Sequence, residues 1–217
     1  MRGKLFVGVL TIAMCICFSA LAEPAKPDLN DIADLFRTLH SGKSAEPVRA
    51  TYTETGYVRS VGAPPGGYLD NSGGKGLNEE AAARLFLAAH AGAIANESPK
   101  LGYTGARVSK TPDRSYVRLD QTYAGLPVFG AAVSVQMDDT SNVAFFLSHL
   151  MTDTQTLDSG QVPTTPRITA GQAKQYAVEF LAGSNPGQTF AVTSSPILTI
   201  YDPSVVGNNG ADVLAWK

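Results

Sequence analysis

Four runs of alternating apolar and polar residues between residues 104 and 150 constrain the fold of this chain more than any other feature. They cover residues 104–110, 115–123, 128–138 and 143–150, and only short, turn-rich segments separate them. Alternation with period two places successive side chains on opposite faces of a strand, and short connections join antiparallel neighbours. The pattern therefore predicts an antiparallel meander of four strands.

Helical patterns lie before the meander. Apolar residues recur at helical spacing over residues 29–39, after Asp28 as a candidate N-cap. Asn78 precedes a second apolar-periodic run, and Glu79 and Glu80 in its first turn complement the positive end of the helix dipole. Between these two helices, β-branched and aromatic residues over 49–61 predict a strand pair or a bent strand.

A third helix is predicted after the meander, beginning at Thr169. Gln172 stands three residues later, so the two side chains can form a capping box. Gly183 is a natural C′ residue for this helix. Its apolar stripe consists of Ala173, Tyr176, Ala177, Phe180 and Leu181.

The order of these patterns predicts an α+β fold of two small domains, each an antiparallel sheet with helices packed on it. Residues 23–151 form the first domain. Residues 152–167 are rich in Thr, Ser, Gly and Pro and are predicted to be a linker. Residues 168–217 form the second domain, in which the helix precedes strands at 196–201 and 212–217.

The first 22 residues have the pattern of an export signal. Arg2 and Lys4 precede an apolar stretch at 5–18, which is shorter than the roughly 20 residues that span a bilayer. Ala20 and Ala22 supply the small residues that a signal peptidase accepts, so cleavage is expected after Ala22. A retained anchor is the less favoured alternative. The chain is therefore predicted to be secreted or periplasmic, with no membrane contact after cleavage.

Cysteine content and charge exclude several classes of function. Both cysteines, Cys15 and Cys17, lie inside the signal, so the mature chain cannot use a cysteine nucleophile, a cysteine zinc site or thiol redox chemistry. Removing the signal leaves 15 Lys and Arg against 19 Asp and Glu, a formal charge of −4. Without a cluster of basic residues, nucleic acid is not an expected partner.

No catalytic constellation is found in the sequence. Two zinc-binding histidines one helical turn apart require His-Glu-x-x-His, which is absent, and the three histidines His40, His90 and His149 stand singly. The sequence has no Gly-x-Ser-x-Gly either. We therefore predict no catalytic, cofactor-binding or metal-binding residue in this chain.

One ten-residue stretch, Gln-Thr-Tyr-Ala-Gly-Leu-Pro-Val-Phe-Gly at 121–130, carries a family resemblance. It resembles the hallmark hairpin of the fungalysin/thermolysin propeptide (FTP) domain, in which a helix rich in Ala, Phe and Leu precedes the hairpin as residues 79–91 do here. Residues 168–173 and 214–217 look like parts of a PepSY domain, which follows in the same precursors. The residues that carry the hairpin motif are Gln121, Tyr123, Gly125, Pro127, Val128 and Gly130.

The hairpin motif also has a direct physical interpretation. Gly125 can adopt the positive φ of a tight reversal, and Pro127 fixes its own φ at the start of the returning strand. Gln121 is expected to bond backbone groups across the turn. An ordinary hairpin without a binding role remains an equal alternative.

The resemblance implies the pro-region of an exported thermolysin-like zinc metallopeptidase. Such a pro-region helps the peptidase to fold and inhibits it by docking, in cis or in trans, and zinc is expected only in the peptidase domain. The alternative is a free-standing secreted or periplasmic binding or inhibitor module. Because residues 212–217 read as a strand with no cap after it, the second domain is expected to be incomplete.

Overall fold

The computed structural model describes residues 40–42, 48–69 and 71–217 of the chain. Its centre is a meander of four strands, each antiparallel to the next. The predicted meander is confirmed, although its first strand begins three residues earlier than the pattern indicated. The strands are β5 (Leu101–Thr111), β6 (Arg114–Tyr123), β7 (Leu126–Met137) and β8 (Val143–His149).

Four short strands extend the sheet beyond β8. β1 (His40–Gly42) pairs with β4 (Gly67–Leu69), and β2 (Arg49–Tyr52) pairs with β3 (Val58–Gly62). Both β3 and β4 pair with β8, side by side along its length. The strand pair predicted over 49–61 is therefore confirmed. The sequence placed His40 near the end of a helix, but it lies in β1.

One face of the sheet is covered by two helices, α1 (Glu79–Ala89) and α2 (Ala91–Ile94). Asn78 caps α1 as predicted, because its Oδ1 accepts a hydrogen bond of 2.8 Å from the backbone N–H of Ala81. α1 buries Ala82, Ala83, Phe86 and Leu87. These pack on the inward-facing residues of the meander, including Val117, Leu119, Val133, Val135 and Phe146.

The C-terminal part of the chain joins this sheet instead of forming a separate one. It contains α3 (Gln155–Asp158), α4 (Ala170–Ser184), β9 (Leu198–Tyr201), a 3-10 turn (Pro203–Val206) and β10 (Val213–Trp216). β9 pairs antiparallel with β10 and parallel with β7. The sheet is thus mixed, and the prediction of two purely antiparallel sheets was wrong. The fold as a whole is α+β.

Helix α4 begins as predicted and ends differently. Thr169 and Gln172 form the reciprocal capping box. The helix continues through Gly183 to Ser184, and Asn185 closes it by donating from Nδ2 to the carbonyl of Leu181 at 2.9 Å. Pro186 follows at once and cannot continue the helix.

The apolar stripe of α4 is not covered in this structure, because no residue of the helix is buried. A helix of 15 residues is about 22 Å long, whereas β9 and β10, at four residues each, extend for about 13 Å. The helix therefore extends beyond the hairpin, and Phe180 is 74% exposed.

The residues predicted to be a linker, 152–167, are partly packed. Thr152 and Thr154 are buried, and α3 inserts Leu157, which is 3% exposed, into a second apolar core. The division into two domains remains a prediction. The predicted signal peptide, with Ala20 and Ala22, and the predicted helix over 29–39 lie outside the described residues.

Candidate functional site: the motif hairpin and the C-terminal surface

The turn of the motif hairpin consists of two residues. Tyr123 and Leu126 are paired across β6 and β7, and between them Ala124 and Gly125 both have positive φ, 48° and 80°. Two left-handed residues define a type I′ turn, whose twist matches that of the flanking strands. The positive φ predicted for Gly125 is confirmed.

A β-branched residue cannot easily occupy this backbone conformation, so we expect Gly125→Val to lower the free energy of unfolding by about 1–3 kcal/mol. Chemical denaturation of the purified variant measures this change. The variant Ala124→Asn, at the other position of the turn, is expected to leave the free energy of unfolding unchanged or to raise it, since asparagine favours this position of a type I′ turn. An unchanged midpoint for Gly125→Val would contradict the assigned turn.

Gln121 fixes the segment that follows β8. Its side chain is 1% exposed, donates from Nε2 to the carbonyl of Met151 at 3.0 Å and accepts from the N–H of Met151 at 2.9 Å. The expectation that Gln121 bonds across its own turn was therefore wrong. The strand register shifts between Asp120 and Thr122, and the side chain between them reaches Met151 instead.

Tyr123 joins three segments of the chain. Its ring is buried, and its hydroxyl donates to Asp158 Oδ1 at 2.8 Å and lies 3.1 Å from Lys100 Nζ. Thr154 and Ser98 also donate to the Asp158 carboxylate. Burial alone would raise the pKa of Asp158, but these hydrogen bonds together lower it. The network links β6 and α3 to the segment that precedes β5.

The returning strand of the hairpin receives β9. The side chain of Thr199 donates to the carbonyl of Pro127 at 2.8 Å, and Val128 pairs with Ile200 in the parallel register. Gly130 has φ 76°, and a Cβ there would lie against the 3-10 turn that follows β9. Pro127, Val128 and Gly130 thus lie at the contact between the meander and the C-terminal part.

These contacts form the second apolar core. Two of its residues, Tyr123 and Val128, belong to the motif, and the others come from β7, from the segment after β8, from α3 and from β9. Five of the six predicted motif residues therefore lie at one junction, and the sixth, Gly125, lies in the turn that joins the two strands. The full set of buried residues is Tyr123, Val128, Ala131, Met151, Leu157 and Ile200.

Asp212 adds a titratable contact to this junction. Thr156 donates to its carboxylate, which connects α3 to the start of β10. Burial raises the pKa of Asp212, the hydrogen bond from Thr156 lowers it, and the nearby carboxylates of Asp202 and Asp153 raise it, with a net upward shift. Ionisation of Asp212 is therefore less favourable in the folded chain than in the unfolded chain.

This shift predicts a pH-dependent gain from Asp212→Asn. Because the folded pKa exceeds the unfolded value of 3.8, the stability that the carboxyl contributes is present below pH 3.8 and lost as the pH rises through the folded pKa. Asparagine can still accept from Thr156 and does not ionise. We expect the melting temperature of the variant to exceed that of wild type at pH 7 and to equal it near pH 3.5.

Thermal unfolding at both pH values checks this expectation, with Asp113→Asn in the exposed β5–β6 turn as the matched control. A gain of equal size at both pH values would mean that ionisation is not its cause.

Sequence reasoning missed an exposed apolar surface in the C-terminal part. Six of the eleven large apolar side chains exposed among the described residues lie between positions 176 and 213. Two of the six, Tyr176 and Val213, line one groove, and exposed apolar side chains that adjoin one another mark interaction sites more often than single ones do. We call these six residues the C-terminal apolar surface: Tyr176, Phe180, Leu181, Ile197, Val206 and Val213. The apolar stripe of α4 was visible in the sequence, but its exposure to solvent was not.

An apolar groove lies beside this surface. It has a volume of about 590 Å³ and runs between α4 and β10, with Ala173 and Tyr176 on one side and Leu214 and Trp216 on the other. The indole N–H of Trp216 donates to the carbonyl of Ile168 at 3.0 Å and fixes one end of the groove.

The outer edge of β10 is free of any other strand in the described part of the chain. Ile197 and Lys217 exchange both backbone hydrogen bonds, so the alternate residues Leu214 and Trp216 direct their N–H and C=O groups away from β9. An extended segment of another polypeptide could pair with these groups.

The histidines lie on separate elements. His40 is in β1, His90 follows α1 and packs edge-on against Phe86 at 4.7 Å, and His149 ends β8. Burial lowers the pKa of His90. Among the described residues, no three His, Cys, Asp or Glu side chains are grouped so that they could hold a metal ion. These residues do not fit the zinc of a thermolysin-like peptidase.

No helix in the described part of the chain is long and apolar enough to span a membrane.

Comparison with known families gives a match inside the meander. Residues 111–150 match the Fungalysin/Thermolysin Propeptide Motif. They cover β6, β7 and β8, so the motif hairpin lies inside the match. No curated protein matches the chain. The resemblance of residues 168–217 to a PepSY domain lies outside the matched residues and stays a prediction.

Proposed function

We propose that this chain is the pro-region of an exported thermolysin-like metallopeptidase and acts by docking on the peptidase domain, in cis or in trans. The match of residues 111–150 to the propeptide motif carries the proposal. The motif hairpin supports it through its position, since its buried residues hold the C-terminal part against the sheet. In this proposal the motif hairpin orients the C-terminal part of the chain, which docks, and does not itself contact the peptidase.

The docking surface in this proposal is the C-terminal apolar surface together with the free edge of β10. Helix α4 carries only two charged residues, Lys174 and Glu179, although none of its residues is buried. A helix exposed on all sides usually carries more charge, so this composition favours a covered state. The apolar faces of α4 and of the β9–β10 hairpin supply burial, and the edge groups of Leu214 and Trp216 supply hydrogen bonds.

Docking of this kind accounts for assisted folding. A pro-region speeds folding when its contacts stabilise the transition state of a peptidase whose native state is protected by slow unfolding. A tethered partner has an effective concentration on the order of millimolar, so a modest interface suffices in cis.

Inhibition requires only that the same contacts persist and cover the substrate cleft. Zinc and the catalytic groups belong to the peptidase domain in this proposal. A role before removal of the pro-region also agrees with the export signal predicted at residues 1–22, which would deliver the precursor to the periplasm or the medium.

Inhibition in trans tests the proposal. Residues 23–217 are added to each thermolysin-like metallopeptidase domain of the source organism, and peptide hydrolysis is measured against chain concentration. We expect saturable inhibition of one of them at a micromolar or lower constant. Unchanged hydrolysis by all of them, with no complex in gel filtration, would exclude inhibition and favour the free-standing binding module.

A further inference from the structure

The connection between α4 and β9, residues 185–197, is the longest segment without regular structure among residues 71–217. Within the described part of the chain, its backbone is hydrogen-bonded only at its ends. The N–H of Gln188 donates to the carbonyl of Asn185 near the start, and Ile197 pairs with Lys217 at the finish. Between them, residues 189–196 make no backbone hydrogen bond with any other residue that the structure describes, and each is exposed or half-buried. Such a segment can enter the cleft of an endopeptidase without unfolding of the domain.

Other loops of the structure are held more firmly. The loop after β7 is closed by Asp138, whose carboxylate accepts from the backbone N–H groups of Thr140 and Asn142 at 2.9 Å each. The segment before α4 contains Pro163 and Pro166, and its end is bonded by Trp216. The connection at 185–197 is therefore the preferred point of attack.

The sequence of the connection selects the class of endopeptidase. From 175 to 216 the chain contains neither Lys nor Arg, and residues 185–197 contain no acidic residue. Two large apolar side chains, Phe190 and Val192, stand in its middle, both half-buried and flanked by small or polar residues. An enzyme with an apolar specificity pocket can bind them, whereas one that requires a charged side chain has no site here.

We propose that residues 189–193 form a cleavage site for an endopeptidase that recognises an apolar side chain, with Phe190 and Val192 as its recognition residues. The reaction is hydrolysis. The peptide C–N bond breaks, water supplies a hydroxyl to the carbonyl carbon, and the nitrogen leaves as an amine with the remaining proton. Water and the attacking endopeptidase are the only further reactants.

Cleavage here divides the C-terminal apolar surface. α4, with Tyr176 and Phe180, remains on one fragment, while β9 and β10 stay on the other. No residue of α4 is buried, so few contacts hold the helix beside the β9–β10 hairpin after cleavage. This consequence rests on the proposed function. Cleavage ends inhibition, because α4 and the β9–β10 hairpin, which together dock on the peptidase, are no longer linked.

Limited proteolysis tests the site directly. Residues 23–217 are treated with low concentrations of thermolysin and chymotrypsin, which take apolar side chains, and with trypsin as the control enzyme. Mass spectrometry then locates the first bond cut within residues 48–217. We expect thermolysin and chymotrypsin to cut first between 188 and 193. A first cut elsewhere by both enzymes would overturn the proposal.

The variant Phe190→Gly/Val192→Gly is expected to slow this cut at least tenfold, while Tyr116→Ser, an exposed aromatic removed from β6, leaves it unchanged. Equal rates in wild type and the double variant would also overturn the site. The proposed function fails separately. If the intact chain never inhibits a peptidase, the cleavage map stands and only its regulatory role is lost.

Discussion

Replacing Gln121 with leucine is expected to lower the free energy of unfolding by about 2–4 kcal/mol. The side chain is fully enclosed, and both of its hydrogen bonds go to the backbone of Met151. Leucine fills similar space but leaves a buried N–H and a buried C=O without partners, each at about 1–3 kcal/mol. Urea denaturation monitored by circular dichroism measures the loss.

The matched control is Gln136→Leu on β7. Its side chain is half-buried and bonds only the hydroxyl of Tyr116, at 3.4 Å, so we expect a change within about 0.5 kcal/mol. Equal effects of the two substitutions would mean that the contact with Met151 does not stabilise the junction.

Replacing Phe180 with aspartate is expected to weaken inhibition of the cognate peptidase by about 30-fold or more. Loss of a central aromatic at an interface costs about 2 kcal/mol or more, and a buried charge adds to that cost. Since Phe180 is 74% exposed in the free chain, we expect the stability of the chain itself to change little. Inhibition constants and melting temperatures of the same preparations separate the two effects.

Tyr116→Asp is the matched control for this surface. Tyr116 is also an exposed aromatic, 42% accessible, but it lies on β6 away from α4. Inhibition by the Phe180→Asp variant as strong as that of wild type, or an equal loss of inhibition in the control variant, would show that the C-terminal apolar surface is not the docking surface.

Local patterns predicted the regular elements well because their causes lie close together in sequence. The alternation of β6 buries every second residue from Ser115 to Tyr123. The cap at Asn78 and the box at Thr169 need only residues within one turn, and both are present. The turn at Gly125 is likewise decided by two adjacent residues.

The site was less predictable because its contacts join distant parts of the chain. Gln121 meets Met151 thirty residues later, and Thr199 meets Pro127 seventy-two residues earlier. No short-range pattern indicates that β9 lies parallel to β7. The apolar stripe of α4 predicted an amphipathic helix but did not indicate what covers the stripe. The two-stranded hairpin of β9 and β10 is shorter than the helix and cannot cover its whole length.

Refolding of the cognate peptidase tests whether this chain assists folding of a peptidase domain. The denatured peptidase domain is diluted into buffer with and without an equimolar amount of residues 23–217, and recovered activity is measured after the added chain has been removed by proteolysis. We expect a severalfold higher yield with the chain and no rescue by Gln121→Leu when that variant is largely unfolded. Equal yields with and without the wild-type chain, together with unimpaired hydrolysis in its presence, would contradict it.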